Sequence, residues 1–336
     1  MADINAQTGA SPDTGRARAV LSEIGYRYWL PIAWVLLLIV FSIIHPGVFN
    51  SAANINFVAI AQAVALTVAL ALLVPLVGGE FDLSVGAVVT LSAVACAAFM
   101  ANYGLPLIVA VLLTIALGGL IGVLNGFLVS KLGVSSLIAT LGVAMSIEGI
   151  VRAYTGGVPI AVGIDPALTN VIRLRLLGIP MLVVIVAVLA AIVWYGLEHT
   201  TPGRNLTATG SNARAARLLG LRTNGYVWVS FIISGMIAAL GGILTIVVVG
   251  SGTPDAGGMG VLLPALAAVF LGATAFKPGK FNVPGTVIGL LFVATGVNGL
   301  TLGSSQNWVQ QLFAGGTLVF ALAISAAVRR RRGERI

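Results

Sequence analysis

Charge is what this chain has least of: Asp, Glu, Lys and Arg together make up 8% of its 336 residues. Hydrophobic residues account for 58% and the mean hydropathy is +1.06. No soluble domain of this size could hide that much apolar surface, which excludes a water-soluble globular fold. Cysteine is reduced to Cys96, in an apolar run, so the chain forms no internal disulfide and Cys96 reads as a small buried side chain. The two histidines, His45 and His199, lie far apart without a second His, Cys or an H-E-x-x-H context, so no metal site is expected. Catalytic groupings are missing too. There is no nucleophile elbow, no carboxylate pair beside a histidine and no G-x-x-x-x-G-K-S/T loop to cradle a phosphate. The chain is expected to be no enzyme, to carry no cofactor, and to leave any ATP hydrolysis to a separate subunit.

The charge that is present is mostly positive, 18 basic against 10 acidic residues for a net +8. The bases fall in short clusters between apolar runs, as orientation signals do in a membrane, and no nucleic-acid partner is expected. Apolar length and breakers give ten spans, near 29–45, 56–77, 84–102, 105–129, 134–154, 179–197, 226–250, 260–276, 283–302 and 308–328. The fold class is therefore all-α, a polytopic membrane protein of about ten transmembrane helices. Segment 260–276 is short and reads as either spanning or re-entrant.

Residues 1–28 read as a cytoplasmic N-terminal tail, 29–328 as the transmembrane domain and 329–336 as a basic cytoplasmic C-terminal tail. No small-residue cleavage site follows the apolar run 29–44, so that run is expected to stay as the first span. Alternation then places Lys131, the loop 198–225, Lys277 with Lys280, and 329–332 in the cytoplasm, where positive residues collect. Arg173 and Arg175 fall outside, against the trend. Five spans on each side of 155–178 would be opposite in topology, an inverted five-plus-five arrangement, with glycine-rich breaks after the second span and the eighth. Glycine is plentiful, 42 residues, and runs such as GGLIG (118–122) and GMIAALGG (235–242) read as close helix packing.

Three polar features interrupt this pattern. The first is the loop 198–225, with Arg204, Arg214, Arg217 and Arg222. Within it Ser211 or Asn212 can cap a helix over 213–219, and Gly220 sits where a left-handed residue would end it. Two turns are marginal alone, so this helix is expected to pack on something. The second is GGEFDLS at 78–84. Gly78 and Gly79 permit unusual backbone angles, and Asp82 or Ser84 can cap the helix that follows. The third is Glu148 with Arg152, spaced i and i+4 with the acid first, the favourable order for an ion pair within a helix. Asn125, Gln62, Asn298 and Gln310 are lone amides that could bond a solute or join two helices.

The stretch TPGRNLTATGSNARAARLLGL resembles the cytoplasmic loop of permease subunits of bacterial ABC importers, in the ribose/xylose-type branch related to the branched-chain amino-acid permeases. GGEFDLSVGA (78–87), NGFLVSKLGVSSLIATLG (125–142) and VFLGATAFKPGKFNVPGTVIG (269–289) are similar to further blocks of the same branch, in the same order. The resemblance implies that the loop is a coupling helix seated in a groove of an ATPase subunit, with Gly203, Arg204, Ala208, Gly210, Asn212, Ala215, Ala216, Arg217 and Gly220 at the matching positions. Ala215, Ala216 and Gly220 would supply a flat face for that fit. It places Gly78, Gly79, Asp82, Ser84 and Asn125 near the translocation path. It also implies the bacterial inner membrane, a second permease copy or paralogue, and a periplasmic or lipid-anchored solute-binding protein. The solute would be a monosaccharide or similar small polar molecule, with a branched-chain amino acid, a nucleoside or autoinducer-2 as alternatives. A stand-alone secondary transporter is the other class, but it would need several acids or histidines mid-span, and the spans lack them apart from Glu80, Asp82 and Glu148.

The topology can be checked directly. In a Cys96→Ala background, cysteines at Ser211 and Ser251 are expected to react with impermeant reagents from opposite sides of intact membranes. Reaction from one side would refute the ten-span arrangement.

Overall fold

The computed structural model describes residues 12–303 and, beyond them, residues 308, 312–313, 315–317, 319–320 and 323, with side chains described from Arg27 onward. The tail residues 1–11 and 329–336, and most of the predicted span 308–328, lie outside the described residues. Helices coincide with the other nine predicted spans. In chain order they are α1 (Pro12–Ile44), α2 (Ala52–Val77), α3 (Val85–Ala101), α4 (Leu107–Ser130) and α5 (Ser136–Thr155). A short turn α6 (Pro166–Thr169) and a two-stranded hairpin, β1 (Arg175–Leu176) with β2 (Ile179–Pro180), fill the central loop. Then come α7 (Met181–His199), α8 (Thr201–Ser211), α9 (Ala213–Leu218), α10 (Thr223–Val249), α11 (Met259–Gly272) and α12 (Val283–Gly303). α1 begins well inside the stretch read as a tail. Seven of these helices are long and apolar enough to cross a membrane, and α3 and α11 are shorter apolar helices.

α10 is the hub, and glycine explains why. A Cβ on Gly235 would lie 2.1 Å from the carbonyl of Gly118 in α4, and one on Gly118 would lie 2.4 Å from the carbonyl of Gly235. Gly122 meets the backbone of Phe231, and Gly242 meets the carbonyl of Val89 in α3. Lipid tails are as apolar as leucine, so helices associate in a bilayer through close packing rather than through water exclusion. The GGLIG and GMIAALGG runs are the two faces of one such seam. Several hydroxyls inside the bundle bond back to carbonyls a turn earlier, as Thr67 does to Ala63 and Thr245 to Gly241, and those carry no unmet demand. Asn298 joins two helices: its amide and that of Asn54 bond reciprocally at 3.0 Å, tying the start of α2 to α12.

The segment read as span 260–276 holds a shorter helix, α11, and the turn that begins at Ala273. α11 has 14 residues, about 21 Å of helix, shorter than the roughly 30 Å hydrocarbon core. Before it, residues 250–258 run without helix down the side of α3. Gly252 packs against Ala93 and Ala97, Gly257 packs against Gly86, and the Gly258 amide donates to the Gly86 carbonyl at 3.0 Å. A glycine-bearing break follows the eighth apolar helix, at 273–282, as well as the second, while the breaks that lead into short helices follow α2 and α10, the second and seventh. Gly257 and Gly258 build the second of these, because a Cβ on Gly257 would lie 2.1 Å from the Gly86 carbonyl and Gly258 turns the chain with φ +66°.

Overpacking tests the seam. Gly235→Leu is expected to cost about 3 kcal/mol or more and lower the thermal midpoint of the detergent-solubilised protein, as forced insertions do in close-packed interiors. Gly142→Leu, where a Cβ meets nothing within 4 Å, is expected to leave the midpoint unchanged.

Candidate functional site

The break at 78–84 sits between α2 and α3, where backbone groups have lost their helical partners. In a membrane protein such groups must find partners inside the protein. Here α5 supplies them: Ser136 Oγ accepts from the Phe81 amide at 3.2 Å, and Thr140 Oγ1 accepts from the Leu83 amide at 3.0 Å. Gly79 turns the chain with φ +86°, which favours a residue without a Cβ.

Asp82 organises the rest. Its Oδ1 accepts from the Ser84 amide at 3.1 Å and from Ser84 Oγ at 2.6 Å. Its Oδ2 accepts from Ser234 Oγ in α10 at 3.0 Å, and Ser84 Oγ in turn accepts from Asn125 Nδ2 in α4 at 2.7 Å. Neither candidate caps α3: the Ser84 side chain makes no capping bond, and Asp82 takes the Ser84 amide ahead of the helix, an Asx turn. Three donors on one carboxylate offset much of the cost of burying it. Asp82, Ser84 and Asn125, predicted from the sequence, come together, and Ser234 completes the set. All four are no more than 2% exposed, so the network sits inside the chain and clamps the break to α4 and α10. Ser234 carried no motif; its one sequence signal is its place beside Gly235 in the packing run.

The pairing of Glu148 with Arg152 is corrected by the structure. Arg152 Nη2 meets Asp255 Oδ1 at 3.1 Å, on the non-helical segment that descends beside α3. Helical spacing alone does not pair Glu148 with Arg152, because the 250–258 segment presents the carboxylate of Asp255 to that guanidinium. Both partners are mostly exposed, 63% and 73%, so the pair adds little stability.

The loop 198–225 is more helical than its sequence suggested. Thr200 accepts from the Gly203 amide and Pro202 occupies the first turn, so α8 forms before the expected helix begins. α9 then forms as read: Asn212 Oδ1 accepts from the Ala215 amide at 2.9 Å, and Gly220 follows with φ +82°. α8 seats closely on the bundle. A Cβ on Gly203 would lie 2.1 Å from the Gly196 carbonyl of α7. One on Gly210 would lie 2.1 Å from the Val77 carbonyl and 2.9 Å from the Gly79 amide nitrogen. Loop and break are therefore in backbone contact. Ala216, expected on the outer face, points inward at 3% exposure, while Leu218 and Leu219 stand out at 85% and 82%. Arg204 bonds the His199 carbonyl at 3.2 Å, and Arg217 reaches Thr223 Oγ1 at 3.5 Å.

Removing the clamp should be costly. Asp82→Ala strands two hydroxyls and an amide, about 1 kcal/mol or more each, and is expected to lower the thermal midpoint and the yield of folded protein. Glu80→Ala is expected to change stability by less than about 0.5 kcal/mol. Equal losses would mean that Asp82 has no special place.

No solved structure matches this chain. Sequence comparison is more telling. The chain is 32% identical over 298 residues to the ribose import permease protein RbsC of Haemophilus influenzae, covering 88% of this chain and 91% of that one. It is 29% identical to the D-allose transport system permease protein AlsC of Escherichia coli, covering 88% and 90%. It is also 29% identical to the autoinducer 2 import system permease protein LsrD of Photorhabdus laumondii, covering 89% and 92%. The family described as branched-chain amino acid transport system / permease component matches over residues 54–322. With that match across most of its length, the chain belongs to this family of ABC importer permeases.

Proposed function

We propose that this chain is the membrane subunit of an ATP-driven importer for a monosaccharide or similar small polar solute in a bacterial inner membrane. Both termini and the loop 198–225 lie on the cytoplasmic side. Two copies, or one copy and a close paralogue, form the path between them. A periplasmic or lipid-anchored binding protein delivers the solute, and separate ATPase subunits dock on α8 and α9. The relatives named for ribose and allose import support the solute class. Matching short helices after breaks, α3 after α2 and α11 after α10, support an inverted repeat.

The observation that carries the reading is the face of α9. Leu218 and Leu219 project beside Arg214 and Arg217, an apolar pair flanked by bases, on a helix too short to persist without support. In this reading Gly203, Gly210 and Ala216 seat the loop, Arg204 fastens the start of α8, and Asn212 and Gly220 bound α9. Ala215 and Arg217 flank the leucines that enter the ATPase. Gly78, Gly79, Asp82, Ser84 and Asn125 form the hinge behind the path, reached from the loop through Gly210.

Leu218→Glu combined with Leu219→Glu is expected to abolish ATPase co-purification and solute uptake while the permease inserts normally. Each buried leucine contributes about 1.5 kcal/mol or more, so together they exceed a hundredfold in affinity. Arg214→Ala is expected to be mild, since rim charges add little. In vesicles holding the complete importer, a labelled pentose or hexose is expected to be taken up and leucine is not. Normal uptake by the double variant would make the loop an ordinary linker.

A further inference from the structure

Two clefts meet where α7 ends and α12 begins, beside α8. The first, about 360 Å³, is walled by Glu198, His199, Arg204, Lys277 and Lys280. The second, about 370 Å³, runs between α7 and α12 and is apolar, lined by Ala190, Ala191, Trp194, Pro284, Val287 and Ile288. Val283 borders both, and Phe276 of the second adjoins Lys277 of the first. They form one feature with a charged end and an apolar groove leading from it.

The charged end is cationic in excess. Lys277 Nζ meets Glu198 Oε2 at 2.7 Å, which neutralises one base. Arg204 and Lys280 have no carboxylate partner among the described residues; Arg204 bonds only neutral oxygens, those of His199 and Thr201. The turn that carries the lysines is built, not loose. The Asn282 amide donates to the carbonyls of Ala275 at 3.2 Å and Lys280 at 3.0 Å, and its Oδ1 accepts from the Gly285 amide at 2.8 Å. Phe276 donates its amide to the Arg27 carbonyl at 3.0 Å, which fixes the same turn to α1. At the junction Trp194 packs edge-on to His199, ring centres 4.5 Å apart, the kind of aromatic that marks a membrane–water boundary.

We propose that this feature is a binding site for one anionic phospholipid, its phosphate held by Lys280 and Arg204 and one acyl chain lying along α7 and α12. Two uncompensated bases at the ends of membrane helices select an anionic headgroup, and the adjoining groove selects a molecule with an apolar tail. A free phosphate would use the first cleft and leave the second without a role. The bound lipid would bridge the start of α8 and the turn before α12, two elements that no ion pair joins among the described residues; Lys277 with Glu198 ties that turn to the end of α7 instead.

The test is native mass spectrometry of the full-length chain in detergent with phosphatidylglycerol or phosphatidylcholine of the same acyl chains. Two charges predict a preference for phosphatidylglycerol of about 25-fold, and Lys280→Gln is expected to lower it about fivefold. Lys131→Gln, a base away from the clefts, is expected to leave it unchanged. Ala191→Trp, which fills the groove, is expected to reduce phosphatidylglycerol retention with normal gel-filtration behaviour. Equal retention of the two lipids would overturn the proposal, as would a loss with Lys131→Gln equal to that with Lys280→Gln. So would displacement of the lipid by millimolar inorganic phosphate, which would make the charged cleft a simple anion site.

Discussion

Backbone-to-backbone contact at glycine is the constraint on which this fold rests. Inside a bilayer, burying one leucine against another gains little over leaving it in lipid, so helices are held by how closely their surfaces approach. Gly118 against Gly235, Gly272 against Gly285 and Gly86 against Gly257 all bring main chains together with no side chain between them. The first contact sets where α10 lies. That position carries Ser234 to Asp82 and leaves room beside α3 for the non-helical segment that precedes α11.

The second requirement follows from the first. Once a chain unwinds at membrane depth, each exposed amide and carbonyl needs a partner. At 78–84 the partners are hydroxyls of α5 and a carboxylate that gathers Ser84 and Ser234. Irregular backbone and buried polar side chains therefore occur together, and neither would be stable without the other. The Gly258 amide, bonded to the Gly86 carbonyl, solves the same problem at the second break with main chain alone.

What could be read from the sequence was local. The apolar runs within the described residues, the Asn212 cap and the left-handed Gly220 each depend on a few neighbouring residues, and these appear in the structure. What could not be read was distant or directional. Arg152 takes Asp255, 103 positions away, because a segment with no helical periodicity packs where no pattern announces it. Ser234 looks like any serine in a small-residue run. Ala216 and Leu218 lie two positions apart on one short helix, and only the seating of α8 decides which faces inward. α8 itself was hidden by its threonines and glycines, residues poor in helix propensity that are present here for capping and close approach.

The meeting of Gly210 with Gly78 and Gly79 has a mechanical meaning. Side chains between two elements act as springs, since rotamers can yield and absorb small displacements before anything beyond them moves. Between Gly210 and the backbone of Val77 to Gly79 there are none; the nearest, Leu206, rests on Gly78 a turn away. A push on α8 of even a few tenths of an ångström has no compliant layer in which to dissipate, and it arrives directly at the turn that holds Asp82. The absence of two methyl groups makes this joint stiff, and a single alanine at Gly210 would have to lever the joint apart before it could fit.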